Sequence, residues 1–397
     1  MTESVLDNSS HDYLQVLLDS LSYARDRNYI GYDKHDGMSS KIRRSLPADN
    51  RWLNLCFQES VKRAPVNLRP LSLVEPRPNP KGLSLFLMAN YSAHQLTGEQ
   101  TYRSEANALA ERIIEHGSDT YSGFAIGHSH ELQGLHGKTP AGVPGIVQTS
   151  YGVKALLRLS NKNEQYQEIA ASGSDFLEND LDPVQANPGI KVKYNPTDSG
   201  ESYTLNANAV AARMLVDLYA CIGDERYKSM ATDILEYVAS HQQPIGGWKY
   251  TDPPSASHLS MDNYHNGFII ESFLRYQELI DSNAFADVVD QAIEFYRTEL
   301  YDDNGAPHWD EQKPYPRDVH AAAQGILVFT YSGNREFARE IVDWTLDNLY
   351  AGQGQFYYQK QKWFTKRFTL MRWCQAWMTY ALSEFLRQRD EELSTEG

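Results

Sequence analysis

Apolar residues recur at helical spacing in one segment after another along this chain. Tyr13, Leu14, Val16, Leu17, Leu18 and Leu21 predict a first helix over residues 10–26. Trp52, Leu55 and Phe57 among polar neighbours predict a second over residues 50–63. Pro65, Pro70, Pro76, Pro78 and Pro80 then forbid a continuous helix, so residues 28–80 read as an irregular N-terminal connector packed on the rest. Further on, Leu205, Ala209, Ala212, Leu215 and Val216 predict a helix before Gly223, while Tyr227, Met230, Ile234 and Val238 predict its successor.

From Lys81 the pattern repeats. Gly98-Glu-Gln-Thr-Tyr102, Gly223-Asp-Glu-Arg-Tyr227 and Gly333-Asn-Arg-Glu-Phe337 share one turn, with 161–166 and 282–285 as looser copies. Glycine suits the end of one helix and Asp or Asn caps the next, so each copy marks the corner of a helical hairpin. At the other end of each hairpin an aromatic stretch follows a glycine, as in Gly246-Gly-Trp-Lys-Tyr250, Gly305-Ala-Pro-His-Trp309 and Gly354-Gln-Phe-Tyr-Tyr358. Segments 123–127 and 190–194 occupy equivalent places. These stretches read as short strands, each leading through a polar loop into the next helix.

Five hairpins begin near Lys81, Ile146, Thr204, Asn263 and Asp318, and a last apolar helix over 369–387 has no partner after it. The first helix lacks a partner too. Pairing the termini completes a sixth hairpin, which predicts an all-α fold: a single-domain (α/α)6 toroid over residues 1–397 with short strands at one face. A linear solenoid is the competing architecture, but it needs polar end caps. Leu370, Trp373, Ala376, Trp377, Tyr380 and Ala381 make the last helix apolar, which favours closure.

Composition narrows the partners. A formal charge of −15 argues against a nucleic-acid ligand, without excluding an anionic sugar held in a local basic pocket. No run approaches the ~18 apolar residues of a membrane span. The opening residues lack the pattern of a signal peptide, and three well-separated cysteines suit a reduced compartment, so the expected location is cytoplasmic. The 25 tyrosines and seven tryptophans offer apolar faces with polar tips, which suit sugar rings as well as a core. Oligomeric state is not legible.

In a closed ring the side chains able to meet are those at the starts of the inner helices and in the loops before them. The richest such stretch is 246–276. Its helix opens with Asp262, Asn263, His265 and Asn266 beside unpaired backbone amides, a setting that favours anions. The candidate catalytic residues are Tyr264, His265, Asp262, Asp318 and Tyr250; the candidate sugar-binding residues are Trp248, Asn208, Asn266, His320, Tyr358, Arg372 and Trp373. Asp33, His35 and Asp36, and Gln148, are further candidates. Asp262 and Asp318 also read as helix caps and the aromatics as packing. His128, His130 and His136 raise a metal, but no cysteine or His-x-x-x-His helix accompanies them, so neither metal nor cofactor is expected. Nucleophile-elbow, phosphate-loop and dinucleotide signatures are absent from the sequence.

The run 266–276 and the Arg372-Trp373 pair resemble the C-terminal helical domain of glucuronyl C5-epimerases. Gly31-Tyr-Asp-Lys-His-Asp-Gly37 is similar to a motif of polysaccharide-biosynthesis proteins of bacteria and archaea. The resemblance implies a toroid and a uronate-containing glycan or its precursor as substrate, with acid/base chemistry at C5 of the epimerase or lyase type. Those epimerases also carry a β-rich part that this chain lacks, and their tyrosines cannot be matched one for one. Two alternatives stay open: a glycoside hydrolase with paired carboxylates, and a non-catalytic glycan-binding or assembly protein.

Overall fold

The computed structural model describes residues 12–46, 49–134, 137–161 and 163–395, with side chains through 388. His136, Lys162 and the first two residues of the predicted opening helix lie outside the described residues. Four helices precede the first repeat corner: α1 (Tyr13–Arg25), α2 (Lys41–Ser45), α3 (Arg51–Arg63) and α4 (Pro80–Thr97). Then follow α5 (Gln100–Glu115), α6 (Ile146–Ser160), α7 (Glu164–Ala171), α8 (Gly173–Asp180), α9 (Leu205–Ile222) and α10 (Glu225–Ala239). The remainder are α11 (Asn263–Leu279), α12 (Ala286–Glu299), α13 (Val319–Tyr331), α14 (Arg335–Leu349) and α15 (Trp377–Thr395).

Helices α4, α6, α9, α11, α13 and α15 pack each on the next, and α15 packs back on α4, closing an inner ring of six. Their composition explains the placement. In α13 every residue from Val319 to Thr330 is buried, as a helix apolar all round requires, whereas α14 buries one stripe: Phe337, Ala338, Ile341, Val342, Thr345, Leu346 and Leu349 among them. Each inner helix carries an outer one, α5, α7 with α8, α10, α12 and α14 in turn, and α1 takes that place for α15. The predicted toroid is therefore the observed architecture, with small two- and three-stranded sheets at one face.

Two glycines show how the sequence fixes the joints. Gly223 ends α9 at φ 80°, a left-handed conformation that other residues adopt at a cost, and Asp224 then caps α10 by accepting from Arg226 N. Gly354, at φ 75°, lies so close to α1 that a Cβ would stand 2.2 Å from the Asp19 carbonyl oxygen. That contact seats α1 as the missing outer helix.

Of the stretches read as short strands, 190–194 contains one, Ile190–Lys191, but 246–250 differs. Residues 246–250 are irregular, and the strand proper is only Thr251–Asp252, paired with Tyr203–Thr204. The reason is a side-chain clamp. Asn266 of α11 accepts from Trp248 N (2.7 Å) and donates to Trp248 O (3.1 Å), doing for the backbone what a neighbouring strand would do. Asn208 does the same for Val192, and Gln375 accepts from Phe356 N while donating to Gly354 O. Within the connector the helix predicted over 50–63 is α3, and there is further order that was not expected: α2 and a strand pair, Ile30–Gly31 with Arg77–Pro78. The last predicted helix begins as a π-helical turn, Met371–Ala376, before α15.

Candidate active site

At the start of α11 one carboxylate does two jobs. Asp262 caps the helix through Oδ1, accepting from His265 N at 3.2 Å, and its Oδ2 lies 2.7 Å from the His265 ring Nδ1. An aspartate oxygen can only accept there, so Nδ1 carries the proton and the lone pair sits on Nε2. That nitrogen has no partner among the described residues, and the ring is 15% exposed. A histidine oriented by a buried carboxylate with a free second nitrogen has the build of a general base.

Two phenols flank it, with ring centroids 4.5 Å (Tyr250) and 4.2 Å (Tyr264) from the imidazole. Burial pushes both pKa values up, so both stay protonated and serve as hydrogen-bond or proton donors. Behind them, His320 is sandwiched between Tyr264 (4.8 Å) and Trp377 (4.4 Å). Burial holds it neutral, and neither of its nitrogens has a partner among the described residues.

The opposite wall comes from the connector. Asp33 takes the Arg372 fork at 2.6 and 2.5 Å and also accepts from Asn79, while Asp36 takes Arg69 at 2.7 Å. Burial alone would raise the Asp33 pKa, but the Arg372 guanidinium offsets it and holds the carboxyl well below the usual range. Between these clamps, Lys34 projects onto the Trp373 indole. Its ammonium is 3.6 Å from that ring centroid, 5.3 Å from Tyr264 and 5.4 Å from Trp309. No carboxylate pairs with it among the described residues, and burial lowers its pKa to about 8. Deeper in, Lys81 sits in a cage of Tyr151 (4.6 Å), Trp377 (4.9 Å) and Phe268 (5.0 Å), with its pKa pulled well down by burial. Glu271 is paired with Arg213 (2.6 Å) and Lys154 (3.2 Å) and accepts from Gln324 (2.9 Å).

His35, His128, Tyr194, Tyr250, His265 and Trp309 keep part of their surface open, while Lys34, Tyr264, Arg372 and Trp373 are buried among them. This part-exposed cluster, here called the mouth, sets the Lys34 ammonium, protonated phenols and an imidazole oriented by Asp262 side by side.

The predicted residues divide into two groups. Tyr250, Asp262, Tyr264 and His265 come together, with His320 and Trp373 touching Tyr264. Trp248, Asn208 and Asn266 do not reach the mouth: Trp248 stacks on Phe273 and donates to Val238 O, and both asparagines are clamps. Tyr358 is buried against Phe368. Arg372 spends its fork on Asp33. Asp318 is fully buried and saturated, accepting from His320 N, the Trp373 indole (2.8 Å) and Gln359 (2.6 Å). These six serve as framework: Tyr358 packs in the core, and the polar groups of the other five are engaged by the protein itself.

Of the histidine loop, His128 meets Gln148 at 2.7 Å and lies 5.5 Å from the His130 ring. No three His, Cys, Asp or Glu side chains converge as a metal site needs among the described residues. Lys34 and Lys81 were missed by the sequence reasoning. The signal for Lys81 is a lone cation opening the apolar run 80–89; Lys34 lies inside the 31–37 motif, masked by its charged neighbours.

No protein-family model matches the sequence, and no curated protein matches it. Solved structures do. A cellobiose 2-epimerase from Spirochaeta thermophila aligns with a TM-score of 0.63 at 14% identity, covering 80% of this chain and 89% of that one. The GH76 α-mannanase of Bacteroides thetaiotaomicron gives 0.62 at 13%, covering 97% and 98%. A D-mannose isomerase gives 0.58 at 12%, covering 78% and 87%. At these identities the likeness establishes the fold, a toroid shared with glycan-active proteins.

Proposed function

We propose that this chain is a carbohydrate-active enzyme that removes the proton at C5 of a uronate residue in a glycan or glycan precursor. The observation that carries the proposal is the Asp262–His265 pair, whose Nε2 has no partner among the described residues, with the Lys34 ammonium against the same Tyr264 ring. Proton loss next to a carboxylate builds negative charge on that carboxylate, and an ammonium in a water-poor site stabilises it. Lys34 and His265 both touch Tyr264, so carboxylate and C5 proton would be addressed from neighbouring positions. His265 takes the proton as base, and Tyr250 or Tyr264, kept protonated by burial, returns one to the opposite face or to the leaving oxygen. The same ring in sugar epimerases and an isomerase supports the reading. Hydrolysis fits less well, because Asp33, Asp262, Asp318 and Glu271 are all engaged by donors and none stands free as an acid.

Incubation with uronate oligosaccharides in deuterated water tests this. Deuterium at C5 with inverted configuration means epimerisation, and an unsaturated chain end means elimination. Hydrolysis with no deuterium at C5, retained in His265→Ala, would replace this reading with the glycosidase one.

A further inference from the structure

We infer that the hairpin 359–366 is an outer subsite that grips the chain of an anionic oligosaccharide beyond the residue undergoing reaction. The inference rests on the proposed uronate chemistry for the class of ligand and on separate observations for the place. Gln359–Lys360 pairs with Thr365–Lys366 on one side and with Arg317–Asp318 on the other. Asp318 caps α13 and holds the Trp373 indole on which Lys34 rests, so this sheet is continuous with the mouth. Register sets the direction. Gln359 faces Asp318 and Lys360 faces Arg317, so the strand runs away from the start of α13 and the tip stands off the ring face.

At that tip Trp363 is 85% exposed and Phe364 48%, the former the most open large apolar side chain among the described residues. A lone exposed aromatic means little. Here two are adjacent on a turn closed by Gln361 N donating to Phe364 O at 2.7 Å. The base of the hairpin is pinned as well: Gln359 donates to Asp318, Lys366 to the Arg63 carbonyl and Lys360 to Asn348. The aromatics are therefore presented on a stiff support at little ordering cost to a ligand.

Charge selects the occupant. Residues 359–367 hold Lys360, Lys362, Lys366 and Arg367 and no acid, in a chain of net charge −15. The Lys362 ammonium lies over the Trp363 ring, 5.1 Å from its centroid, and the side chain is otherwise open, so an exposed apolar ring stands beside a cation. That combination matches a pyranose ring bearing a carboxylate, stacked on the indole and paired with the ammonium.

The test is binding of galacturonate dimer, galacturonate hexamer and neutral maltohexaose, by titration calorimetry on the full chain. The parent should bind the galacturonate hexamer more tightly than the dimer. Trp363→Ala should weaken the hexamer about tenfold and leave the dimer unchanged, the loss of one stacked ring, and Trp363→Tyr should restore most of it. Lys34→Met should weaken dimer and hexamer alike. A hexamer no tighter than the dimer, an equal response of Trp363→Ala at both lengths, or maltohexaose bound as well as the uronate hexamer would each overturn the subsite. So would a parent dimer that Trp363→Ala converts to monomer with sugar binding untouched, which would make the hairpin a self-association surface. If Lys34→Met spares the dimer while Trp363→Ala still costs the hexamer, the inner-site reading fails and the outer subsite stands.

Discussion

The repeat-borne ends of the inner helices and the loop 33–36 of the connector both face the mouth, and they treat polar groups in opposite ways. In the repeats, the buried side chains that serve the framework are satisfied: Asn208, Asn266 and Gln375 clamp extended backbone, and Asp318 accepts from three donors. In the loop, Asp33 and Asp36 are clamped so that Lys34 between them can be left unpaired on an indole. Satisfied groups hold the ring, and a buried cation without a partner is a cost that stability alone does not explain. The repeats are not uniform: His320 at the start of α13 is buried with neither ring nitrogen partnered, and α11 departs in a part-exposed way. At the start of α11 the residue after the Tyr264 position is an imidazole with a nitrogen to spare. The proposed chemistry sits where the unrepeated loop meets the start of α11.

Breaking each side separately should give different kinds of loss. His265→Ala is expected to lower turnover by about two to four orders of magnitude, the usual worth of a positioned base, with a thermal midpoint close to the parent's because the ring is part-exposed. Steady-state kinetics beside a thermal melt checks this; an unfolded variant, or one with unchanged turnover, removes His265 from the mechanism. Asn266→Ala should do the reverse. It strands the Trp248 N–H and C=O in the interior, costing about 2–4 kcal/mol for two buried unsatisfied groups, and denaturant titration should show it even without a substrate. Stability within about 0.5 kcal/mol of the parent would mean that the clamp is not what holds the stretch.

The ring was legible because its period is long and its punctuation chemical: glycine corners such as Gly223, capping Asp and Asn residues, and an apolar last helix that needed cover. Tyr264 and His265 were legible for the same reason, since they follow a cap. Trp248, Asn208 and Asn266 were assigned to the sugar because polar and aromatic types look alike in sequence whether their partner is a ligand or the backbone. What separates them is hydrogen-bond supply, and for Asn266 the demand comes from Trp248, 18 residues away. Lys34 was invisible for the complementary reason: its neighbours Asp33 and Asp36 suggest local ion pairs, yet their true partners are Arg372 and Arg69, 339 and 33 residues away.

Acid should open the mouth before the rest of the ring. Burial keeps His35, His128 and His320 well below the ordinary histidine pKa and His130 at about 4. The unfolded chain takes up these protons near pH 6.5 and the folded chain does not, so stability is full above about 6.5 and falls as pH drops toward 4. His130→Gln should flatten the slope of unfolding free energy against pH by about 1.4 kcal/mol per pH unit, the value for one proton. An unchanged slope between pH 6.5 and 4 would mean that His130 is already charged in the fold.

Lys34 offers the smallest effect and the finest test, because its two consequences move in opposite directions with pH. Its folded pKa of about 8 lies below the ordinary 10.5, so the folded state binds fewer protons between those values. Stability should therefore rise with pH across that window, the burial cost being full below 8 and gone above 10.5. Affinity for a uronate needs the ammonium, so it should fall through the same pH of about 8. Lys34→Met removes both dependences: it should be more stable than the parent at pH 7 by about 1–3 kcal/mol, with the advantage shrinking toward pH 10, and its uronate affinity should be weak and flat. A variant that loses stability at pH 7 would mean the ammonium is satisfied in the fold, which would return the loop to the same role as the repeats.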